Sequence, residues 1–192
     1  GDVWTAVGSG NIPSITIQNS STTDNVNAAI FFKNDTDMTA SIGARFVNHV
    51  SNETEVRIST NDGTSTRERV TIKGTGAVTM PYQPAFSLRA PSTLTGPGVV
   101  PFTVKDVDVG NNCSGGVFTA PIAGKYFFHY HNNHDQGNAA ASGALYADIQ
   151  KNSSGFNHRM YTYFSGGWEE LSGSVIYSLA AGDTIRVYLW SA

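Results

Sequence analysis

The sequence predicts an all-β protein in two parts: a thin β-rich stem over residues 1–83 and a β-sandwich over 84–192. Three observations carry this. Apolar residues recur at period two, the signature of strands that bury one face. No convincing helix is present. Ala139-Ala140-Ala141 is bracketed by Gly137, Ser142 and Gly143, which favours a small-residue loop. Finally, the chain changes character at Met80-Pro81-Tyr82-Gln83-Pro84, where two prolines frame a turn.

In the first part the apolar pairs or triplets are Ile15/Ile17, Ile30/Phe32, Ile42/Ala44/Phe46, Val56/Ile58 and Val70/Ile72. Polar clusters at 19–25, 34–37, 51–54 and 61–63 separate them, and Asp62-Gly63 is a strong tight-turn signal. Only Trp4, Phe31, Phe32, Phe46 and Tyr82 are aromatic here, so one chain has little with which to offset its conformational entropy. Thin strands with one narrow apolar face need a partner. Three copies wrapped about one axis would bury those faces and leave the Thr, Ser and Asn faces wet, which predicts a trimeric, intertwined β shaft. The alternative is an ordinary β-domain that folds alone. The run from Arg67 to Val78, a strand, Gly74-Thr75-Gly76, then a second strand, resembles units seen just before the distal domain of many tailed-bacteriophage fibres.

The second part reads as consecutive strands near 86–90, 100–107, 116–120, 124–131, 143–151, 157–164, 171–180 and 183–190. Strand signals at such spacing favour a sandwich or barrel. The string Gly116-Val117-Phe118-Thr119-Ala120-Pro121-Ile122-Ala123-Gly124-Lys125-Tyr126-Phe127-Phe128 is a strand, a Pro/Gly turn and a strand of alternating aromatics. It resembles the central signature of the C1q-like domain of the C1q and tumour-necrosis-factor superfamily. Ala85-Phe86-Ser87, Val100-Pro101-Phe102, Lys151-Asn152, Gly173-Ser174-Val175 and Ala181-Gly182-Asp183-Thr184 follow the family's order. The resemblance covers roughly 84 to 190 and implies a C1q-like jelly-roll β-sandwich that trimerises and recognises surfaces without catalysis. Family members usually end in a further strand with a Phe-x-Gly-Phe-like signature, and this chain stops at Trp190-Ser191-Ala192. That strand is absent, cut off or replaced by a rearranged topology. The start, Gly1-Asp2-Val3-Trp4, has neither an initiator Met nor a signal-peptide pattern and reads as a fragment.

Composition removes several function classes. The net charge is −3, charged residues make up 14%, and Lys and Arg form no cluster of the kind nucleic acid requires. No apolar run approaches the roughly 18 residues of a membrane span. The one cysteine, Cys113, excludes an intrachain disulfide and has no His or Asn partner at an informative spacing.

His129 and His131 share one face of a strand, with Tyr126, Phe128 and Tyr130 on the other. On a threefold axis such pairs would supply six imidazoles, an arrangement resembling metal-binding His-x-His pairs of some phage fibres and suited to iron, zinc or nickel. A His near 131 also resembles one that merely packs in metal-free relatives. Asp106 and Asp108 share a strand face and suit either a calcium site, as in some C1q-like heads, or a solvated edge. The adjacent Glu169 and Glu170 point oppositely on a strand, so no acid–base pair for sugar cleavage is expected. Tyr161 and Tyr163 share a face that is either core or recognition surface, and Trp168 is the candidate loop-borne anchor.

The expected function is that of a non-catalytic homotrimer without cofactors: the distal receptor-binding part of a bacteriophage tail fibre, at the virion's fibre tip. Its expected partners are a host-cell surface glycan or outer-membrane protein and other virion tail proteins, with no nucleic acid and no membrane insertion. The alternatives are a cellular secreted or surface C1q-like lectin and a capsule-degrading fibre enzyme. Recognition is expected on distal loops, near His134, Asp135 and Asn138 and near Trp168 and Glu169, with Tyr161 and Tyr163 beside them.

Overall fold

The computed structural model describes residues 16–34, 37–90, 97–135, 143–154, 158–164 and 168–191, and every regular element among them is a strand. The chain divides into two compact units, Gly1–Gln83 and Pro84–Ala192.

In the first unit β1 (Val26–Asn34), β2 (Asp37–Asn48), β3 (Glu53–Asn61), β4 (Thr66–Lys73) and β5 (Val78–Thr79) form one antiparallel meander. Asp62 organises the β3–β4 turn, accepting backbone N–H bonds from Thr64 (3.0 Å) and Ser65 (3.0 Å) beside Gly63, whose φ is 93°. Register sets the two faces. On one, Ile30 faces Ile42 and Ile42 faces Ile58, while Val56 faces Ile72 and Ile72 faces Val78. All six are exposed. The opposite face carries Arg45, Glu55, Arg57, Glu68, Thr71 and Lys73, and there Glu55 and Thr71 are buried. Glu55 pairs with Arg57, with Arg45 (3.4 Å) and with Lys73 (3.7 Å), and Arg57 also pairs with Glu68. Burial pushes the Glu55 carboxyl up, but these cations outweigh it and hold the group below its usual range.

The sequence suggested interchain winding. The described strands instead close their ladders within one chain, because short polar turns return each strand beside the last. What this fold leaves open is an apolar face.

The second unit is a β-sandwich. Its larger sheet runs β13 (Arg159–Phe164), β12 (Gly143–Lys151), β15 (Thr184–Ser191), β10 (Val117–Thr119) and β9 (Cys113–Ser114), with β7 (Gly98–Val99) also on β15. Against it lie the pair β11 (Gly124–Asp135) and β14 (Trp168–Leu179) and the pair β6 (Phe86–Arg89) and β8 (Val104–Asp108). Alternation sends Leu145, Ala147 and Ile149 of β12, Ile185, Val187 and Leu189 of β15, and Phe128 and Tyr130 of β11 into one core. Phe118 sits at its centre, 5.0 Å from the Phe86 ring and 5.6 Å from Phe128. Gly116 adopts φ 81°, and a Cβ there would strike the Val100 carbonyl oxygen, so this turn requires glycine. The expected 100–107 strand starts only at Val104. Val100 is instead drawn to β15 by one backbone bond, to the Val187 carbonyl (2.9 Å).

Candidate recognition surface

The side of β13, β12 and β15 turned away from the core holds the most elaborate side-chain arrangement among the described residues. Along β12 the residues between Leu145, Ala147 and Ile149 are Tyr146, Asp148 and Gln150. Antiparallel register sets Tyr161 and Trp190 on either side of Tyr146, Arg159 and Tyr188 beside Asp148, and Arg186 beside Gln150.

Asp148 has 0% exposure although it points away from the core, because larger side chains close over it. It accepts two bonds from Arg159, Nε to Oδ1 and Nη2 to Oδ2, both 3.0 Å, and a third from Trp190 Nε1 (2.6 Å). This bidentate pairing fixes the guanidinium plane and raises the Arg159 pKa further. The same guanidinium carbon lies 5.4 Å from the Tyr146 ring centroid and 6.0 Å from that of Trp190, within cation–π range. Gln150, only 2% exposed, accepts from Arg186 Nε (2.9 Å). Arg186 also lies over Tyr188 at 5.9 Å, and Tyr188 packs on Trp190 at 4.5 Å. Tyr161 and Tyr163 flank this cluster edge to face at 5.9 Å, with 64% and 72% exposure. Two buried polar residues of a central strand therefore hold one arginine on each flank, among tyrosines open to solvent. Preorganised Tyr, Trp and Arg groups of this kind suit recognition, since little entropy remains to be lost on binding.

Of the residues singled out from sequence, Tyr161 and Tyr163 belong to this surface. Glu169 does not; it lies in β14 opposite His134 of β11, and Trp168 lies opposite Asp135. These four were expected on loops. They are strand residues instead, because the β11–β14 ladder runs unbroken for the full 12 residues of each strand. Asn138 and the segment 165–167 lie outside the described residues, as do the side chains of His134, Asp135 and Trp168.

His129 and His131 stand on the exposed face of β11, with Phe128 and Tyr130 on the buried face. His131 Nδ1 lies 3.4 Å from Glu170 Oε1. Among the described residues no three His, Cys, Asp or Glu side chains of one chain gather into a metal site. Asp106 and Asp108 have separate partners. Arg89 Nε reaches both oxygens of Asp106 (3.0 and 2.9 Å), whereas Asp108 accepts from Lys105 (2.8 Å) and from the Asn112 and Cys113 amides (2.8 and 3.2 Å). Burial raises the Asp108 carboxyl, yet Lys105 and the two amides keep it below its usual range. Its oxygens thus serve to close the 108–113 loop. Burial, then the neighbouring Asp108 charge, pushes the Cys113 thiol up to about 12, far from a reactive thiolate. No described helix is long and apolar enough to cross a membrane.

No protein-family model matches the chain, and no curated protein matches it. Among solved structures, the globular domain of zebrafish complement 1qA protein is similar at 22% identity, with a TM-score of 0.48. The match covers 57% of this chain and 81% of that one.

Sequence reasoning missed Tyr146, Asp148, Gln150, Arg186, Tyr188 and Trp190. The signal that points to them is a pair of strands in which polar or aromatic residues alternate with Leu, Ala, Ile and Val, at 145–150 and 185–190.

Proposed function

We propose that this chain is the distal receptor-binding part of a bacteriophage tail fibre: a non-catalytic homotrimer at the fibre tip that attaches the virion to a host-cell surface glycan or outer-membrane protein. The first unit is the trimeric stem that joins other virion tail proteins, and the second is a C1q-like jelly-roll head.

The observation that carries the reading is the inverted sheet of the first unit. Among its described residues the buried ones, Glu55 and Thr71, are polar, while Ile30, Ile42, Val56, Ile58, Ile72 and Val78 on the other face are 39–57% exposed. A monomer seldom presents so contiguous an apolar face to water. Packing these faces about a threefold axis removes them from solvent in a closed assembly. Three copies of the Tyr161–Arg186 surface on one trimer then bind with the effective concentration of a multivalent ligand, so each contact need not be strong.

Sedimentation of the full chain at micromolar concentration tests the assembly, and competition of the purified protein with virion adsorption to host cells tests the role. A trimer that blocks adsorption is expected. A stable, folded monomer overturns the stem, and a trimer that neither binds cells nor competes overturns the adhesin.

A further inference from the structure

We propose that the outward face of β13, β12 and β15 binds a carboxylated oligosaccharide, a glycan bearing uronate- or neuraminate-type carboxylates, with Arg186 receiving the carboxylate. The inference rests on the adhesin reading and names the ligand class of that surface.

The two arginines of this face differ in their partners. Arg159 is neutralised by the buried Asp148. Arg186 is held instead by a neutral amide, Gln150 Oε1, and by the Tyr188 ring, and it has no acidic partner among the described residues. The face therefore carries an uncompensated guanidinium. With Nε committed to Gln150, the terminal amino groups keep the planar two-pronged donor geometry that matches a carboxylate. Because the 2%-exposed Gln150 fixes that plane beforehand, the ligand does not have to order it.

The remaining surface selects a sugar over an acidic peptide. A peptide bound by strand addition lies along a sheet edge, here β13, rather than across a face, and Arg186 stands on β15, two strands in from that edge. The face is open and aromatic, so it offers rings for stacking and no backbone ladder. Tyr161 and Tyr163 supply the exposed rings. They lie two strands from Arg186, roughly 10 Å across the sheet, and Arg186 is four residues along β15 from Trp190, roughly another 13 Å. One sugar ring cannot touch both ends. An oligosaccharide can, with ring faces on the tyrosines and a carboxylate at Arg186.

The test applies the full-length trimer to an array of uronate- and neuraminate-containing oligosaccharides, each printed beside its carboxyl-reduced form, together with oligoglutamate peptides. Carboxylated members should bind at least about tenfold tighter than their reduced forms, the scale of one charge-assisted bond pair. Arg186→Gln, measured at a temperature where the variant remains folded, should erase that ratio, and Arg186→Lys should restore only part of it. Tyr161→Ala should instead weaken both forms equally. Equal binding of charged and reduced glycans, a ratio that survives in Arg186→Gln, or oligoglutamate binding as tightly as uronate would each overturn the proposal. If no glycan binds while host-cell adsorption persists, this inference falls and the adhesin reading stands. If adsorption is also absent, the adhesin reading itself fails.

Discussion

The two sheets of this chain solve opposite problems with the same alternation. In the β12–β15 sheet the apolar residues Ile149, Val187 and Leu189 face inward and are almost completely covered. In the β1–β5 sheet the equivalent residues Ile42, Val56 and Ile58 face outward, each about two-fifths exposed, and an ion network closes over the polar side. Period-two patterning therefore specifies which residues share a face. It does not specify what covers the face, which depends on whether a second layer exists in the same chain. The sandwich has that layer in β11 and β14; the meander has none among its described strands.

Removing the same kind of side chain from each sheet should have different consequences. Ile149→Ala should destabilise the second unit by about 2–5 kcal/mol at any protein concentration, because the residue is 1% exposed in a packed core. Ile58→Ser, at a position 39% exposed, should cost much less within one chain and instead weaken self-association. Thermal melts over a hundredfold range of concentration separate the two. Equal, concentration-independent losses would mean that the first sheet is covered within its own chain.

A loss within the same range is expected at Asp148. Asp148→Ala deprives the Arg159 guanidinium and the Trp190 indole N–H of their shared acceptor at a site with 0% exposure. The cost should be roughly 3 kcal/mol, the scale of breaking a buried ion pair from one side. Near-ultraviolet circular dichroism should report the Trp190 and Tyr146 rings losing their fixed geometry, whereas Ile149→Ala should disturb the core aromatics first. A variant with wild-type stability and an unchanged aromatic spectrum would show that the surface is not organised by Asp148.

Much of this architecture was legible from alternation alone. The strands near 86, 117, 124, 143, 159 and 184 appear within a few residues of their expected starts, and the facing of Tyr126, Phe128 and Tyr130 away from His129 and His131 follows from period two. Tyr161 and Tyr163 could be assigned to one face for the same reason. The polar floor beneath them could not. Trp190 reaches Asp148 across 42 residues and Arg186 reaches Gln150 across 36, contacts made only by the long-range β12–β15 register. The loop expectation for Trp168 failed for a related reason. The Ser165-Gly166-Gly167 cluster reads locally as a turn, but the ladder with β11 claims the residue directly after it. The short strands β7 and β9, two residues each, carry no local pattern at all and exist because β15 and β10 offer them edges.

The gentlest perturbation is acid, and it compares two turns, one from each unit. Asp62 closes the β3–β4 turn and Asp183 closes the β14–β15 turn, each by accepting several bonds. Asn152 Nδ2, then Lys151 and the Ala180 amide, hold the Asp183 carboxyl at about 2, against an ordinary value of 3.8. A depressed folded-state value means that the carboxylate's contribution is complete above the unfolded-state value and is lost as pH falls through the folded one. The second unit's melting temperature should therefore decline between pH 3.8 and about 2, and Asp183→Asn should flatten that part of the slope while lowering stability at neutral pH. Asp62 is depressed as well, first by the Thr64 hydroxyl bond and then by the Ser65 and Thr64 amides. Its turn should accordingly survive acid at least as long. Amide exchange at Thr64 and Ser65 against that at Ala180 reads the two turns separately. Earlier opening of the Asp62 turn would show that the surrounding meander, rather than the turn aspartate, limits the first unit's resistance to acid.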